Sequence, residues 1–468
     1  MLVFEPIYTD GLAQISYLVG DSKAAVAAVI DPRRDVDVYL DLAREKGLRI
    51  AYAIETHIHA DFVSGAQALA ERSGAEIIGG CSADYGFELR QAADGEVLEL
   101  GQVSLEIIYS PGHTPEHISL LLRDGQQGDE PFALFTGDTL FNLDVGRPDL
   151  LGEDSTKQLA AQLYATLFTR YLPLGERVEI YPCHGAGSAC GKSIGDRRRS
   201  TLGNELLFNP ALNQRRSESE FVDWLLAGMP EPPRHYARLK RYNVRPATRI
   251  HGPALPPPLS PERFAERIAD KEAVQLVDLR SILAFGGGHV DGALNIALRN
   301  EFVSWAGWML DDQRPIFLIG EDSQQVQQAT LQLYRIGLDR VEGYLRNGMT
   351  DWQNAGLPLA RVEQWTVHEL EARREDPQVQ VLDVRSPEEV AQGRVPGAEH
   401  AFVAHLPDGL GRLDRSKTVA TYCGSGYRAS IAASILKREG FRDVVNIPGS
   451  WMAWQRHDLP VEKSPSDG

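Results

Sequence analysis

The chain of 468 residues is about three times as long as a typical domain of roughly 150 residues, so we expect more than one folded core. Its 65 acidic and 48 basic residues give a formal net charge of −17, which opposes a phosphate backbone and excludes nucleic acid as a partner. No leader pattern and no apolar stretch of about 18 residues is found, so we expect a cytoplasmic protein without membrane contact. Four cysteines are too few for a disulfide framework in so long a chain.

The N-terminal region begins with short apolar runs that alternate with polar residues. These runs cover residues 2–4, 15–19 and 25–30, and a Gly or Asp-Pro turn signal closes each of them. Alternation of this kind is typical of half-buried strands. We therefore expect a layered α/β domain over residues 1–246.

Histidine and aspartate residues follow apolar runs at four places in this region. In chain order they are His57, His59 and Asp61, then His113, then Asp138, then His184. Alternate positions on an extended loop point the same way, and neutral imidazoles with a carboxylate suit iron or zinc. One such histidine is more often a core residue, but four clusters in this order predict a metal site.

The order of these residues resembles the metallo-β-lactamase superfamily, whose motifs are His-x-His-x-Asp-His, then a single His, a single Asp and a final His. The sixth position of the first motif, usually a histidine that helps to hold a second metal, is Phe62. A phenyl ring cannot ligate a metal. Because two-metal hydrolysis needs both ions to clamp the attacking and leaving oxygens, Phe62 argues against a glyoxalase II thioesterase and favours a one-metal site.

Within the superfamily, the chain resembles the persulfide dioxygenase branch. The resemblance implies that His57, His113 and Asp138 hold one ferrous iron per chain, because two histidines and one carboxylate leave positions open for substrate and dioxygen. The residues implied to surround these ligands, orient them and handle protons are His59, Asp61 and His184.

Two further residues are candidates for substrate chemistry. Arg147 lies in a Gly-Arg segment that matches the same branch, and its guanidinium suits an anionic persulfide or a carrier carboxylate. A surface ion pair is the alternative for Arg147. Cys190 lies in a Gly-rich turn shortly after His184, where a thiol would carry sulfane sulfur. Lys192 is expected to favour its thiolate, and a buried inert cysteine is the alternative.

The C-terminal half of the chain repeats itself after a proline-rich linker at residues 229–261. Leu276-Val277-Asp278-Leu279-Arg280 reappears as Val381-Leu382-Asp383-Val384-Arg385, with an offset of 383 − 278 = 105 residues. This period exceeds the roughly 20 to 50 residues of a solenoid repeat, so it indicates domain duplication. We expect one copy at 259–360 and one at 365–463. Apolar runs at 316–319 and 418–422 precede helical stretches at 325–336 and 429–439, which predicts an α/β sheet in each copy.

Cys423 ends an apolar run in the last copy and begins a tight glycine-rich loop. The loop continues with Gly424, Ser425, Gly426, Tyr427 and Arg428. A loop between a strand and a helix N-terminus surrounds one sulfur with backbone N–H groups, which together with Arg428 favour a thiolate or a persulfide anion. The loop resembles those of rhodaneses and of small cysteine phosphatases, and the repeated Asp-x-Arg and closing Trp-Gln segments favour rhodanese. The resemblance implies that Cys423 and Arg428 are catalytic and that the residues between them bind the substrate.

The same segment of the middle copy reads Gly-Glu-Asp-Ser-Gln-Gln over residues 320–325. It has neither a cysteine nor an arginine, and Glu321 and Asp322 disfavour an anion. We therefore expect this copy to lack covalent sulfur transfer and to be a spacer, docking or oligomerisation module.

Together the resemblances imply an α/β multidomain enzyme, an αββα sandwich followed by two rhodanese-like domains. Its expected activity is oxidation of glutathione or coenzyme A persulfide by O2 to sulfite, with sulfane sulfur passing through Cys423 and giving thiosulfate when sulfite accepts it. We also expect a homo-oligomer. The alternatives are a zinc thioesterase of glyoxalase II type with an appended sulfurtransferase, and a sulfur carrier whose metal is structural.

Overall fold

The computed structural model describes residues 1–81, 83–128, 130–247, 252–253 and 255–463. Internal contacts divide the chain into two compact units, Met1–Pro253 with Tyr334–Gly337 and Ala254–Leu333 with Leu338–Gly468. Residues 248–251 and 254 of the predicted linker lie outside the described residues. Within the described part of the chain, no helix is long and apolar enough to cross a membrane, and none of the cysteines there forms a disulfide.

The first sheet of the N-terminal unit is built from the alternating runs at the start of the chain. Its six strands lie side by side in chain order, with antiparallel pairing at one side and parallel pairing at the other. They are β1 (Leu2–Thr9), β2 (Gln14–Asp21), β3 (Val26–Ile30), β4 (Arg49–Ile54), β5 (Glu76–Gly80) and β6 (Arg90–Ala92).

The second sheet of this unit has the order β14-β13-β10-β9-β8-β7, and a separate two-stranded ribbon pairs β11 with β12. The strands are β7 (Val97–Leu100), β8 (Val103–Tyr109), β9 (Ile118–Asp124), β10 (Ala133–Gly137), β11 (Leu140–Phe141), β12 (Asp144–Val145), β13 (Glu179–Pro182) and β14 (Ser200–Thr201). Because side chains alternate along a strand, β9 directs Leu120 and Leu122 into the core between the sheets and Leu121 into the core behind.

Helices cover the outer faces of both sheets. They are α1 (Asp37–Lys46), α2 (Ala66–Ser73), α3 (Glu153–Ala165), α4 (Leu202–Phe208), α5 (Glu218–Leu226) and α6 (Tyr236–Asn243), and α3 continues into a π-helix over Thr166–Tyr171 and a 3-10 turn over Leu172–Leu174. Tyr39 and Leu69 from α1 and α2 pack behind the first sheet, while Leu163 and Phe221 from α3 and α5 pack behind the second. The predicted αββα sandwich is confirmed.

The second unit contains two five-stranded parallel sheets with the same topology. The first has the order β15-β19-β18-β16-β17, and the second has the order β20-β24-β23-β21-β22. The strands are β15 (Pro258–Leu259), β16 (Gln275–Asp278), β17 (Leu294–Asn295), β18 (Ile316–Ile319), β19 (Val341–Leu345), β20 (Glu363–Gln364), β21 (Val379–Asp383), β22 (Glu399–His400), β23 (Thr418–Tyr422) and β24 (Val444–Asn446). The expected domain duplication is therefore visible in the strand order.

The helices of the two copies also correspond. They are α7 (Pro261–Arg267), α8 (Ile282–Gly287), α9 (Phe302–Met309), α10 (Ser323–Arg335), α11 (Gly348–Asn354), α12 (Val367–Arg373), α13 (Pro387–Ala391), α14 (Leu406–Gly409), α15 (Tyr427–Arg438) and α16 (Ser450–Arg456), with 3-10 turns over Val403–His405 and Leu410–Arg412. The indole N–H of Trp352 on α11 donates to the carbonyl of Pro358, and that of Trp454 on α16 donates to the carbonyl of Pro460. The repeated Trp-Gln segments thus close each copy in the same way.

The repeated Asp-x-Arg segment forms a buried ion pair at the end of β16 in the first copy and of β21 in the second. Arg385 Nη2 lies 2.6 Å from Asp383 Oδ2 and 2.8 Å from the carbonyl of Gly393. The equivalent pair, Arg280 and Asp278, has the same 2.6 Å contact. Removing one partner of a buried pair leaves an uncompensated charge, which is more costly than losing an exposed pair.

We expect Arg385→Ala to lower the free energy of unfolding by about 3 to 5 kcal/mol, because Asp383 stays buried without its partner. Urea denaturation of the full chain measures this loss. The matched control is Arg394→Ala, which removes an ion pair with Glu462 whose side chains are 31% and 36% exposed, and it is expected to cost less than about 1 kcal/mol. Equal losses for the two variants would contradict a structural role for the buried pair.

Candidate metal centre and cysteine loop

The predicted metal ligands His57, His113 and Asp138, together with His184, lie where strands of the two sandwich sheets end. His57 follows β4, His113 lies between β8 and β9, Asp138 follows β10, and His184 follows β13. All four side chains are buried. Residues far apart in the sequence therefore meet at one edge of the sandwich.

Three ligand atoms converge on one point. His57 Nε2 lies 3.7 Å from Asp138 Oδ2, and His113 Nε2 lies 3.6 Å from the same oxygen. None of these three buried atoms has a hydrogen-bond partner among the described residues, and a buried polar atom without a partner costs roughly 1–3 kcal/mol. Two imidazole nitrogens and a carboxylate oxygen at these separations fit a metal ion, which satisfies all three.

Hydrogen bonds on the far side of each imidazole aim its Nε2 at this point. His57 Nδ1 lies 2.9 Å from Thr56 Oγ1, which in turn donates to Asp31 Oδ2. His113 Nδ1 lies 2.8 Å from the carbonyl of Arg147. With Nδ1 as donor in both rings, Nε2 keeps its lone pair for a metal. Burial lowers the pKa of both His57 and His113, which keeps the imidazoles neutral.

His184 bridges two carboxylates behind the ligands. Its Nδ1 lies 2.7 Å from Asp138 Oδ1, and its Nε2 lies 2.8 Å from Asp61 Oδ2. Burial opposes the charged form of His184, but the two carboxylates raise its pKa to about 10. Burial also opposes ionisation of Asp138, but the charge of His184 and the neighbouring imidazoles keep the pKa of Asp138 well below its ordinary value. Asp138 thus turns Oδ1 to His184 and leaves Oδ2 for the metal.

His59 and Phe62 follow His57 on the same loop. His59 Nε2 lies 3.2 Å from Asp31 and 3.1 Å from Glu55, so its ring is committed to these carboxylates. Burial opposes protonation of His59, but both carboxylates raise its pKa well above the ordinary value. The ring of Phe62 is buried, and its centroid lies 4.3 Å from the centroid of the His59 ring. Asn243 Nδ2 donates to the backbone carbonyls of both His59 and Phe62.

His117 is a site residue that the sequence analysis missed. Its Nε2 accepts from the backbone N–H of Asp138 at 3.0 Å, and its ring stacks on that of His57 with centroids 5.2 Å apart. Burial lowers its pKa to about 3, so it is a neutral acceptor. Gly137 has φ +50°, and a Cβ there would lie 2.4 Å from His117 Nε2. The available signal was the second histidine of His113-Thr-Pro-Glu-His117.

Arg147 lies beside the site, but its side chain is turned into the protein. The guanidinium is fully buried and donates to both oxygens of Asp149 at 2.7 and 2.8 Å and to the carbonyl of Ala189. An anion-binding role requires free guanidinium donors. In this arrangement Arg147 acts on the site through its carbonyl, which holds His113.

Cys190 is fully buried close to the ligands, and its Sγ lies within 4.8 Å of ligand atoms of Asp61 and His184. Burial and the carboxylates of Asp138 and Asp61 raise the pKa of its thiol well above the ordinary value. Lys192 donates instead to the carbonyls of Trp224 and Ala227. The expectation that Lys192 favours a Cys190 thiolate is therefore wrong.

The second site is the loop between β23 and α15. Cys423 is buried, and its Sγ accepts from the backbone N–H of Gly426 at 3.1 Å. Its own N–H donates to Ser450 Oγ at 3.1 Å, a contact from α16 that the sequence analysis did not foresee. Gly426 has φ +102°, a conformation that favours glycine. Arg428 donates to Glu389 Oε1 at 2.7 Å.

The middle copy packs on the helix that follows this loop. Tyr427 on α15 donates to the carbonyl of Ala297 at 2.9 Å, Ser430 donates to Asn295, and Ser434 accepts from the backbone N–H of Asn295 at 3.1 Å. Spacings of three and four residues place the three side chains on one face of α15. The middle copy thus packs against α15 through β17 and the following Ala297. Its role as a spacer, docking or oligomerisation module stays a prediction.

Models of known protein families match both halves of the chain. Residues 9–184 match the metallo-beta-lactamase superfamily, and residues 260–355 and 366–457 match the rhodanese-like domain. The chain is 32% identical over 217 residues to the mitochondrial persulfide dioxygenase ETHE1 of Bos taurus, covering 44% of this chain and 74% of that protein. It is 29% identical over 210 residues to the hydroxyacylglutathione hydrolase GloC of Haemophilus influenzae, covering 40% of this chain and 88% of that protein.

A crystal structure of a metallo-beta-lactamase from Staphylococcus aureus subsp. aureus COL extends the similarity beyond one domain. It is 35% identical to this chain with a TM-score of 0.66, and the match covers 74% of this chain and 99% of that one.

We expect His113→Ala to reduce metal binding strongly, because only His57 and Asp138 then face the site. The fall in affinity should exceed the roughly 10- to 100-fold that follows loss of a ligand's hydrogen-bond partner. Metal content after dialysis, measured by atomic emission, tests this. The control is His368→Ala, since His368 is an exposed histidine on α12. Wild-type metal content in His113→Ala would remove His113 from the ligand set.

Proposed function

Because this chain belongs to the metallo-beta-lactamase superfamily and carries two rhodanese-like domains, we propose that it oxidises a persulfide of a small thiol with O2 and transfers sulfane sulfur through Cys423. The observation that carries the oxidation is the donor set of His57, His113 and Asp138. Phe62, whose phenyl ring cannot ligate a metal, supports a single ion at this site. Similarity to a mitochondrial persulfide dioxygenase supports the same reaction.

Ferrous iron is the metal that we propose, because two imidazoles and one carboxylate are the donor set of non-haem iron oxygenases. When bound, one such ion supplies open positions where a persulfide and O2 meet. The remaining tasks belong to the chain. His57 and His113 offer neutral nitrogens, and the buried pair of His184 and Asp61 holds a proton beside Asp138.

The oxidation converts a persulfide, O2 and water into the parent thiol, sulfite and two protons. The sulfane sulfur is oxidised, O2 is reduced, and the thiol leaves with its own sulfur unchanged. Asp61 Oδ1 is buried and has no hydrogen-bond partner among the described residues, so it is placed to accept a proton released at this site. Glutathione and coenzyme A are the carrier thiols that we propose.

Cys423 supports the second reaction. Its thiolate attacks the outer sulfur of a persulfide, the sulfur–sulfur bond of the donor breaks, and the carrier leaves as a thiolate. The Gly426 N–H donates to the Cys423 sulfur, and the charge of Arg428 on the same loop also favours negative charge there. Sulfite then attacks the terminal sulfur of the Cys423 persulfide, which releases thiosulfate and restores the thiolate.

O2 uptake by the iron-loaded protein tests the oxidation. With glutathione persulfide or coenzyme A persulfide, we expect uptake and sulfite formation by the wild type and a loss of both in His113→Ala. Cys423→Ser should keep O2 uptake and shift the product from thiosulfate to sulfite, and Cys81→Ser is the matched cysteine control. The zinc-loaded protein is assayed in parallel with an acyl-glutathione. If it releases the thiol and consumes no O2, the hydrolase alternative is favoured, and the name of one relative, hydroxyacylglutathione hydrolase, describes that activity.

A further inference from the structure

Glu389 lies against the arginine of the cysteine loop. Its Oε1 accepts from Arg428 Nη2 at 2.7 Å, and its Oε2 accepts from Arg428 Nη1. A Cβ added at Gly424 would lie 3.2 Å from Arg428 Nη2 and 4.0 Å from Glu389 Oε1, so the ion pair borders the residue after Cys423. The Arg428 and Glu389 side chains are 20% and 38% exposed. A donor entering from solvent therefore meets the guanidinium and the carboxylate together.

The ion pair is balanced in charge, and neighbouring groups do not change that balance. Burial opposes ionisation of Glu389, but the hydrogen bonds and charge of Arg428 keep its pKa below the ordinary value. The nearby Arg385 is itself paired with Asp383. The cation that would attract an anionic donor to Cys423 is therefore offset by a carboxylate at hydrogen-bond distance.

Comparing the last copy with the copy that lacks the cysteine shows which ion pairs belong to the fold and which accompany the cysteine. In the middle copy Asp278 pairs with Ile319, and in the last copy Asp383 pairs with Tyr422 in the same register. The residue after Ile319 is Gly320, which therefore corresponds to Cys423. By the same alignment Gln325 corresponds to Arg428. Glu389 is three residues after the N-cap Ser386 of α13, where it completes a capping box. In the middle copy the residue three positions after the N-cap Ser281 of α8 is Ala284. The copy without the cysteine keeps the buried Asp-x-Arg pair but has lost both members of the Glu389–Arg428 pair.

We propose that Glu389 is a specificity-determining residue, which disfavours the dianions thiosulfate and sulfite at Cys423 and so favours sulfur exchange with thiol persulfides. This rests on the proposed sulfurtransferase function of Cys423. A glutathione persulfide carries its carboxylates far from the reacting sulfurs, whereas the charge of thiosulfate lies on the group that leaves. Like charge near a reacting anion costs free energy in proportion to the charge.

Sulfur transfer from a persulfide and sulfur transfer from thiosulfate differ in the charge of the leaving group near Glu389. From a persulfide, the Cys423 thiolate takes the outer sulfur and its proton, and a thiolate of the carrier leaves. From thiosulfate, the thiolate takes the sulfane sulfur, its sulfur–sulfur bond breaks, and sulfite leaves with the electron pair. The reverse of the second reaction is thiosulfate formation from sulfite. Glu389 therefore slows the thiosulfate reaction in both directions relative to persulfide loading. Thiosulfate formation from sulfite at Cys423 still takes place, but more slowly than it would without this carboxylate.

The test is the ratio of kcat/KM for thiosulfate to kcat/KM for glutathione persulfide, measured on the full chain with cyanide as acceptor. Glu389→Gln should raise this ratio by about tenfold or more, and sulfate should inhibit the variant at correspondingly lower concentration. Glutamine retains a side chain that serves the capping box. Glu388→Gln, at the exposed neighbouring position, should leave the ratio unchanged within about twofold.

The outcomes separate this inference from the proposed function. Because both donors use the same Cys423, a partly unfolded variant lowers both rates equally and does not change the ratio. An unchanged ratio in Glu389→Gln, with active wild type, overturns the role of Glu389 alone. If the wild type transfers sulfur from neither donor to cyanide, the proposed sulfurtransferase function fails instead.

Discussion

The metal domain depends on one buried carboxylate. Asp138 directly follows β10 of the second sheet, and four histidines from three parts of the sequence are arranged around it: His57, His113, His117 and His184. Behind them, His59 lies between the carboxylates of Asp31 and Glu55, and His184 lies between those of Asp61 and Asp138. A divalent cation would satisfy the three unpartnered ligand atoms of His57, His113 and Asp138. Metal binding and folding at this edge are thus linked.

The sequence predicted those features that rest on local chemistry and spacing. The clustering of histidine and aspartate residues follows from residue types after apolar runs, while the choice of ligands among them came from the family resemblance and stays a prediction. The strands at 316–319 and 418–422 have the predicted limits because continuous apolar runs mark buried strands. The domain duplication was visible because both copies preserve the segments that their ion pair and closing tryptophan need. Helix α15 begins two residues earlier than predicted, since Tyr427 and Arg428 belong to both loop and helix.

What the sequence could not supply was the partner of each side chain. Lys192 is close to Cys190 in sequence, yet its ammonium is held by two distant carbonyls. Arg147 matches a family segment, yet its donors are used by Asp149 and Ala189. His117 and Glu389 looked ordinary, because their roles arise from contacts with Asp138 and Arg428 that only tertiary structure creates. Sequence distance is a poor guide to electrostatic partners, since folding pairs charges across the chain.

The two rhodanese-like copies act as an internal comparison of fold and function. Both keep the sheet order and the buried Asp-x-Arg pair, so these features serve stability. Only the last copy has Cys423, Arg428 and Glu389 in register with the end of its central strands. The middle copy contributes instead through β17 and the following Ala297, which contact the face of α15 that carries Tyr427, Ser430 and Ser434. Because α15 starts within the cysteine loop, the copy without a nucleophile fixes the position of the loop that has one.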